Sequence, residues 1–245
     1  AGFVDLRLRK TLDKSLISFE TGQFNTSRLL GMFNLLESDN SNAYIASELY
    51  LTDGPFDSPQ NFNRINVMGR YNYNVPGNQE LNLTASHFQS TWDASGQIPQ
   101  RAVDQSLIGR FGSIDDTEGG QTNRTNFLAN HTKVLDENRF FKTKAYLSQY
   151  NFELYSNFTF FLKDPVNADQ IRQKENRIIV GAESVFEQKN MILGDDTQFE
   201  YQSGIGFRYD NADDIELSNT LNRQTTINRI SLGDVDETNT YAFLN

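Results

Sequence analysis

Apolar and polar residues alternate along most of the chain, two residues to the repeat. The clearest run sets Ile65, Val67, Gly69, Tyr71, Tyr73 and Val75 against Asn66, Met68, Arg70, Asn72 and Asn74. Successive side chains of a strand point to opposite faces, so this run predicts a strand with one apolar side and one amide-rich side. Leu81, Leu83 and Ala85 alternate in the same way with Asn82, Thr84 and Ser86, predicting a strand from Glu80 to Trp92. A strand from Arg139 to Leu162 is expected from the run Phe152, Leu154, Ser156, Phe158 and Phe160, and another from Phe199, Tyr201, Ser203, Ile205, Phe207 and Tyr209. Weaker alternation predicts strands over 15–23, 27–37, 43–51, 122–134 and 178–188, after a short charged strand at Val4, Leu6 and Leu8.

The segments between these runs fall into two kinds. Turn-forming residues cluster tightly at 38–42, 76–79, 135–138 and 193–197. Longer polar loops are expected at 52–64, 93–121, 164–176 and 211–236. The loop at 93–121 is about 29 residues, a length that usually marks function or disorder. The two kinds alternate along the chain, so all short turns belong on one edge of a meander and all long loops on the other. The fold class is therefore read as all-β, an antiparallel up-and-down meander of about ten strands, most of them longer than the usual 5–6 residues. Long strands, short turns on one edge and long loops on the other describe part of a transmembrane β-barrel. A soluble β-sandwich or lectin-like domain also alternates apolar and polar residues and is the competing architecture. In a barrel, Asn66, Arg70, Asn72 and Asn74 would face the lumen, as would Glu200, Gln202 and Arg208, while Ile65, Val67, Tyr71 and Tyr73 would face lipid.

Composition narrows the function classes. The 245 residues suffice for one large domain or two small ones. A net charge of -10 argues against nucleic acid as a partner, since that requires a basic patch. There is no cysteine, which removes disulfides, thiolate metal sites and cysteine nucleophiles. Aromatics, with 19 Phe and 10 Tyr, are abundant in a chain only 37% hydrophobic, a pairing that suits half-buried pleated surfaces. No apolar run is long enough for a transmembrane helix. The chain opens on Ala1-Gly2-Phe3-Val4 and stops on Tyr241-Ala242-Phe243-Leu244-Asn245, in what reads as the middle of a strand, so a fragment is expected.

Catalytic chemistry finds no footing. His87 and His131 are the two histidines, and neither has a carboxylate or serine at a triad-like spacing. Gly204-x-Gly206 lacks the third glycine and following helix of a dinucleotide site, and Ser95 lacks a nucleophile-elbow frame. Acidic runs at Asp115-Asp116-Thr117-Glu118, Asp213-Asp214 and Asp234-x-Asp236-Glu237 match no twelve-residue calcium loop and read as solvated loop charge. No metal, cofactor or catalytic residue is expected. Tyr71, Tyr73, Tyr201, Phe158, Phe160, Phe161, Phe207 and Tyr209 suit membrane-facing surface and interfacial girdles. Trp92 differs, lying at the loop end of its strand on the parity of the polar residues; a lumen or loop-base placement and a girdle role both remain open. The binding candidates are Trp92 with Gln97, Gln100, Arg101 and Arg110 in the 93–121 loop, and Arg223 in the 211–236 loop beside Asn211, Asp213, Asn219, Asn222 and Arg229. Amides and guanidinium groups give directional donors without a titrating proton, which fits recognition of a polar or anionic ligand better than catalysis.

Several stretches carry a more specific signal. Glu48-Leu49-Tyr50-Leu51-Thr52-Asp53-Gly54-Pro55-Phe56 with Pro59-Gln60-Asn61-Phe62, the run Trp92-Asp93-Ala94-Ser95-Gly96-Gln97-Ile98-Pro99-Gln100-Arg101-Ala102-Val103, Arg110-Phe111-Gly112-Ser113-Ile114-Asp115, and Tyr155 to Leu162 with Asp164-Pro165 resemble TonB-dependent outer-membrane receptors over essentially the whole chain. The resemblance implies a plugged barrel of about 22 strands. It implies that residues 1–13 end the plug domain, with Gly2 to Lys10 as its last strand, and that 14–245 form the N-terminal part of the barrel, truncated at the C-terminus. The energy-coupling box, the bulk of the plug and the remaining strands of such a receptor are missing from the sequence. The implied location is the outer membrane, with lipid and a TonB-type energy-coupling protein as partners. The implied activity is energised uptake of a scarce small-molecule or oligosaccharide ligand: a siderophore-iron complex, haem, cobalamin or an oligosaccharide. A passive porin-like channel and a soluble carbohydrate-binding β-domain are the alternatives.

Overall fold

The computed structural model describes residues 8–193 and 197–245. Ten strands hydrogen-bond in chain order into one antiparallel sheet. They are β1 (Leu16–Thr21), β2 (Ser27–Glu37), β3 (Ser41–Thr52), β4 (Phe62–Val75), β5 (Gln79–Ala94), β6 (Glu118–Val134), β7 (Arg139–Ser156), β8 (Ile171–Leu193), β9 (Thr197–Leu221) and β10 (Thr225–Leu244). A single helical turn, α1 (Gln100–Asp104), interrupts the connection from β5 to β6. The turns at 38–40, 76–78 and 135–138 share one edge, with Pro76-Gly77 on it; the connections at 22–26, 53–61, 95–117, 157–170 and 222–224 share the other, which carries Ser95-Gly96. The turn at 194–196 lies outside the described residues.

The register explains why alternation along the chain becomes two chemically distinct faces. On one face Ala43, Tyr71, Leu83, Ala129, Ala145, Ala182 and Phe207 stand directly beside one another from β3 to β9. On the other, Asn42, Asn72, Asn82, Asn130, Lys144 and Glu183 form the matching row. Exposure is inverted relative to a water-soluble sheet. Leu83 is 40% exposed and Phe127 54%, whereas Asn72 is 4% and Asn82 9% exposed. Only Tyr44, Tyr155 and Ala212 are buried hydrophobic residues among those described, so no apolar core exists there. The polar face is instead held by hydrogen bonds: Arg70 Nε donates to Asn72 Oδ1 at 2.9 Å, and Asn72 Nδ2 donates to Asn42 Oδ1 at 2.6 Å. Asn66 and Asn74 share this face with them by register.

The chain ahead of β1 crosses that polar face. Tyr44 Oη donates to the Arg9 carbonyl at 3.0 Å, Asn72 Nδ2 to the Lys10 carbonyl at 2.7 Å, and Asn34 Nδ2 to the Leu12 carbonyl at 3.0 Å. The strand expected at Gly2 to Lys10 falls mostly outside the described residues, and no strand is formed over its described end, Leu8 to Lys10.

Three sequence expectations are corrected. The loop at 211–236 does not exist: its residues build the ends of β9 and β10 around a turn at 222–224. Register shifts between Thr226 and Asn228, Arg229 and Ser231, and Gly233 and Val235 break the period-two signal there. The turn itself has Asn222 at φ 51° and Arg223 at φ 62°, the left-handed pair a tight hairpin needs, but without the Asn-Gly that advertises it. Likewise, β7 stops at Ser156, and the connection to β8 is 157–170 rather than 164–176. Phe158 and Phe161 therefore lie in that connection, 63% and 54% exposed, and not on a strand face. Finally, β6 begins at Glu118 and β5 runs to Ala94, which shortens the long loop to 95–117.

The left-handed turn gives a test. Asn222→Gly should leave the hairpin unchanged or slightly more stable, while Asn222→Val should cost about 1–3 kcal/mol, because a β-branched residue resists this φ. Urea unfolding of the two variants side by side checks the order.

Candidate ligand-binding site

The long-loop edge is where the connections interlock. Asp57 N donates to the Phe111 carbonyl at 3.0 Å, and Asp93 N to the Gln60 carbonyl at 2.7 Å, joining 53–61 to 95–117 and to the end of β5. Asn157 Nδ2 donates to Asp115 Oδ2 at 2.8 Å, joining 157–170 to the same loop. Gln170, 1% exposed, sits at the centre. Its amide donates to Thr117 Oγ1 at 2.7 Å, and its Oε1 accepts from Thr220 Oγ1 at 3.0 Å and from the Arg223 backbone N–H at 3.0 Å.

Arg223 closes the edge. The turn at 222–224 swings its guanidinium onto residues more than a hundred positions earlier, where Nε donates to the Thr117 carbonyl and Nη2 to the Glu118 carbonyl. Nη1 lies 2.9 Å from Asp93 Oδ1, and the group stands 5.7 Å from the centre of the Tyr155 ring. Gly119, at φ 140°, makes this approach possible: a Cβ there would fall 2.4 Å from Arg223 Nη2 and 2.3 Å from the Trp92 carbonyl. Gly120 does the same for Trp92, whose ring would lie 3.0 Å from a Cβ at that position. Between these groups opens a cleft of about 440 Å³, lined by Trp92, Asp93, Gln121, Glu153, Tyr155 and Arg223 among others, within the size range of small-molecule sites.

No protein-family model and no curated protein sequence matches the chain. Solved structures do. The ferric citrate transporter FecA, in its unliganded form, superposes with a TM-score of 0.64 at 13% identity, covering 91% of this chain and 32% of that one. The ferric-catecholate import receptor Fiu of E. coli K12, in its open form, gives 0.52 at 11% identity, covering 96% of this chain and 52% of Fiu; its closed form gives 0.50 at 11% identity, covering 97% and 47%. The fold is that of a TonB-dependent receptor barrel. The chain spans between about a third and about half of the length of these structures.

Within this receptor-barrel fold, the sequence-predicted binding residues separate into two groups. Trp92 and Arg223 come together in the cleft despite their distance along the chain. Gln97, Gln100, Arg101 and Arg110 are exposed on the 95–117 connection and do not line it. Gln100 is engaged locally, donating to Asp104 Oδ1 at 2.8 Å. Asp93, Gln121, Glu153 and Tyr155 were not among the binding residues expected from the sequence; Gly119-Gly120, expected in the 93–121 loop, lies on β6, where a glycine pair marks a close backbone approach. The acidic runs are absorbed into structure: Asp115 accepts from Thr117 N at 2.9 Å, Asp214 N donates to Asp234 Oδ1 at 2.9 Å, and Asp236 accepts from Tyr209 Oη at 2.6 Å. His87 meets Thr125 Oγ1 at 2.9 Å and His131 meets Gln79 Oε1 at 2.9 Å.

Two carboxyl groups of the long-loop edge respond oppositely to pH. Glu118 is 5% exposed, and burial pushes its carboxyl above the usual carboxylate range; the Asn157 backbone N–H opposes the shift and nearby Asp115 adds to it. Asp169 is held below that range, first by the Thr159 hydroxyl and then by the Lys163 and Asp164 backbone N–H groups. The stabilisation from Asp169 is present above the ordinary carboxylate pKa and lost as pH falls through the lowered value. Glu118 is the reverse: the folded form prefers it protonated, so stability declines as pH rises from the ordinary value through the raised one. Glu118→Gln should therefore raise stability at neutral pH and flatten the decline that sets in as pH rises above the ordinary carboxylate pKa, as read by urea midpoints from acid to neutral pH. An unchanged pH profile would show that Glu118 ionises at no cost in the folded protein.

Removing the guanidinium should loosen the whole edge. Hydrogen bonds to charged groups are worth about 1.5–3 kcal/mol each, so Arg223→Ala is expected to cost about 2–4 kcal/mol, with Arg223→Lys recovering only part for want of the fork. Amide exchange over 112–121 should accelerate in Arg223→Ala while β4 and β5 stay protected.

Proposed function

We propose that the chain forms part of the wall of an outer-membrane receptor that takes up a scarce ligand by energy-coupled transport. The inverted sheet carries this reading. Apolar side chains that stay open across β3 to β9 need a non-aqueous neighbour, and a strand can cross lipid only where its backbone groups are paired laterally, as they are here. On this reading the apolar face meets lipid, and the face bearing Asn66, Arg70, Asn72 and Asn74 lines the lumen. The segment at Arg9 to Leu12, pinned by its carbonyls to Tyr44, Asn72 and Asn34, supports that choice, because a plug lies inside the barrel and joins it on the lumen side. The interlocked connections belong at the cell exterior, where they present the Trp92–Arg223 cleft to ligand. A TonB-type energy-coupling protein is the partner the reading requires. Binding and passage, with no bond made or broken in the ligand, are what amide and guanidinium groups at such a mouth can perform.

A charge substitution distinguishes the faces. Leu147 lies on the apolar face between Phe127 and Val180, and Ser148 is its neighbour on the polar face. In native membranes Leu147→Lys should cost about 2–4 kcal/mol if it sits near the bilayer midplane, whereas Ser148→Lys should be tolerated. The check is the yield of heat-modifiable, folded protein in the outer-membrane fraction. Equal yields for the two variants, or recovery of the wild-type chain in the soluble fraction, would contradict the proposal.

A further inference from the structure

The cleft at Trp92 and Arg223 also has a chemistry that limits what it can bind. Its charged lining consists of Asp93, Glu153 and Arg223, so carboxylates outnumber cations. Arg223, the one cation in that lining, already has its charge met: Asp93 Oδ1 stands 2.9 Å from Nη1, and two backbone carbonyls accept from Nε and Nη2, which engages three of its five N–H groups. The carboxylates are engaged as well. Asp93 Oδ2 accepts from Asn61 Nδ2 at 2.9 Å, and Glu153 accepts from Gln121 Nε2 at 2.9 Å and Tyr155 Oη at 2.8 Å. Arg172 lies 3.9 Å from Glu153 but is held by Glu216 at 2.6 Å.

What faces the opening is therefore the unused half of a set of amides and hydroxyls. Asn63 and Gln121 each spend one amide N–H internally, Asn63 on Thr91 Oγ1 at 2.5 Å, while Asn61 Nδ2 donates to both Asp93 Oδ2 at 2.9 Å and the Pro59 carbonyl at 3.4 Å. Asn63 and Gln121 each retain a second N–H, and all three retain a side-chain carbonyl oxygen. Paired donors and acceptors at fixed spacing suit a group that both donates and accepts, which a hydroxyl does and a carboxylate or phosphate oxygen does not. The indole of Trp92, half-exposed and packed over Gly120, adds an apolar plate beside them. An anion entering here would meet the carboxylate of Glu153 and an Asp93–Arg223 pair that carries no net charge.

We infer that this cleft takes a neutral, hydroxyl-rich ligand, a sugar or short oligosaccharide, and not an anionic metal chelate. The inference rests on the receptor reading, and it names the ligand class that the reading leaves open. Asp93 acts as the specificity-determining residue, because it cancels the cation that would otherwise draw anions.

The sequence contains one tryptophan, so the fluorescence of Trp92 reports directly on the cleft. The full chain, folded in detergent micelles, is titrated with maltotriose, xylotriose and diacetylchitobiose, and separately with citrate and inorganic phosphate. At least one neutral oligosaccharide should give a saturable change, at a midpoint at least about tenfold below that of either anion. Asp93→Asn, with folding checked by heat-modifiable mobility, should gain a saturable response to citrate. Tighter binding of citrate or phosphate than of every sugar by the wild-type chain, or no response to any of the three sugars, would overturn the inference; the wild-type comparison does not depend on how the variant folds. Membrane fractionation is read separately: sugar binding by a chain absent from the outer membrane would remove the receptor reading and leave the cleft's chemistry standing.

Discussion

Lateral hydrogen bonding of long strands whose apolar side chains have no core to enter is the constraint on which the structure depends. In water-soluble sheets the apolar face packs against a second layer and the polar face meets solvent. Here the arrangement is reversed, with Asn72, Asn82 and Tyr44 enclosed while Leu83, Phe127 and Leu147 remain open. Such a sheet is stable only where its surroundings are apolar and every strand has neighbours for its backbone groups. Both requirements point to a barrel wall in a bilayer. The polar face is then free to specialise, because its side chains are held by one another rather than by a hydrophobic interior.

The geometry of the cleft follows from strand length. β8 and β9 run to 23 and 25 residues, and their far ends carry Gln170, Thr220 and Arg223 up to the level of the 95–117 and 157–170 connections. A rigid hairpin thus supplies the residue that fastens two loops, so the loops are organised by the wall and not by their own contacts alone. Glycines at 119 and 120 let Arg223 and Trp92 approach the β6 backbone closely. The same fastening pairs Arg223 with Asp93, so the contact that orders the loops also occupies the cation in the cleft's lining.

Much of the fold could be read from the sequence, and the failures have a common cause. Strands crossing the apolar band, such as β4 and β5, alternate cleanly because one side must be apolar at each second position. Beyond the band both faces of a strand are polar, and the period-two signal vanishes. That is why Asn211, Asp213 and Asn219, all on β9, read as loop. In β10 the register shifts added a second disruption. Of the site, Trp92 and Arg223 were legible as residue types suited to binding, but their pairing was not. It depends on a left-handed turn at Asn222 and Arg223 that no glycine announces. Gln97, Gln100, Arg101 and Arg110 share that chemistry, yet their loop carries them away from the cleft.

The orientation of the two faces is the claim from which the rest descends, and a chain without cysteine allows a clean test. Single cysteines placed in turn along β7 from Lys144 to Ser148, spin-labelled in native-like bilayers, would be compared for collision with oxygen and with a water-soluble nickel chelate. The account predicts oxygen-accessible, nickel-protected labels at Ala145 and Leu147 and the opposite at Lys144, Tyr146 and Ser148. Uniform nickel access along the strand, or the reverse alternation, would contradict it.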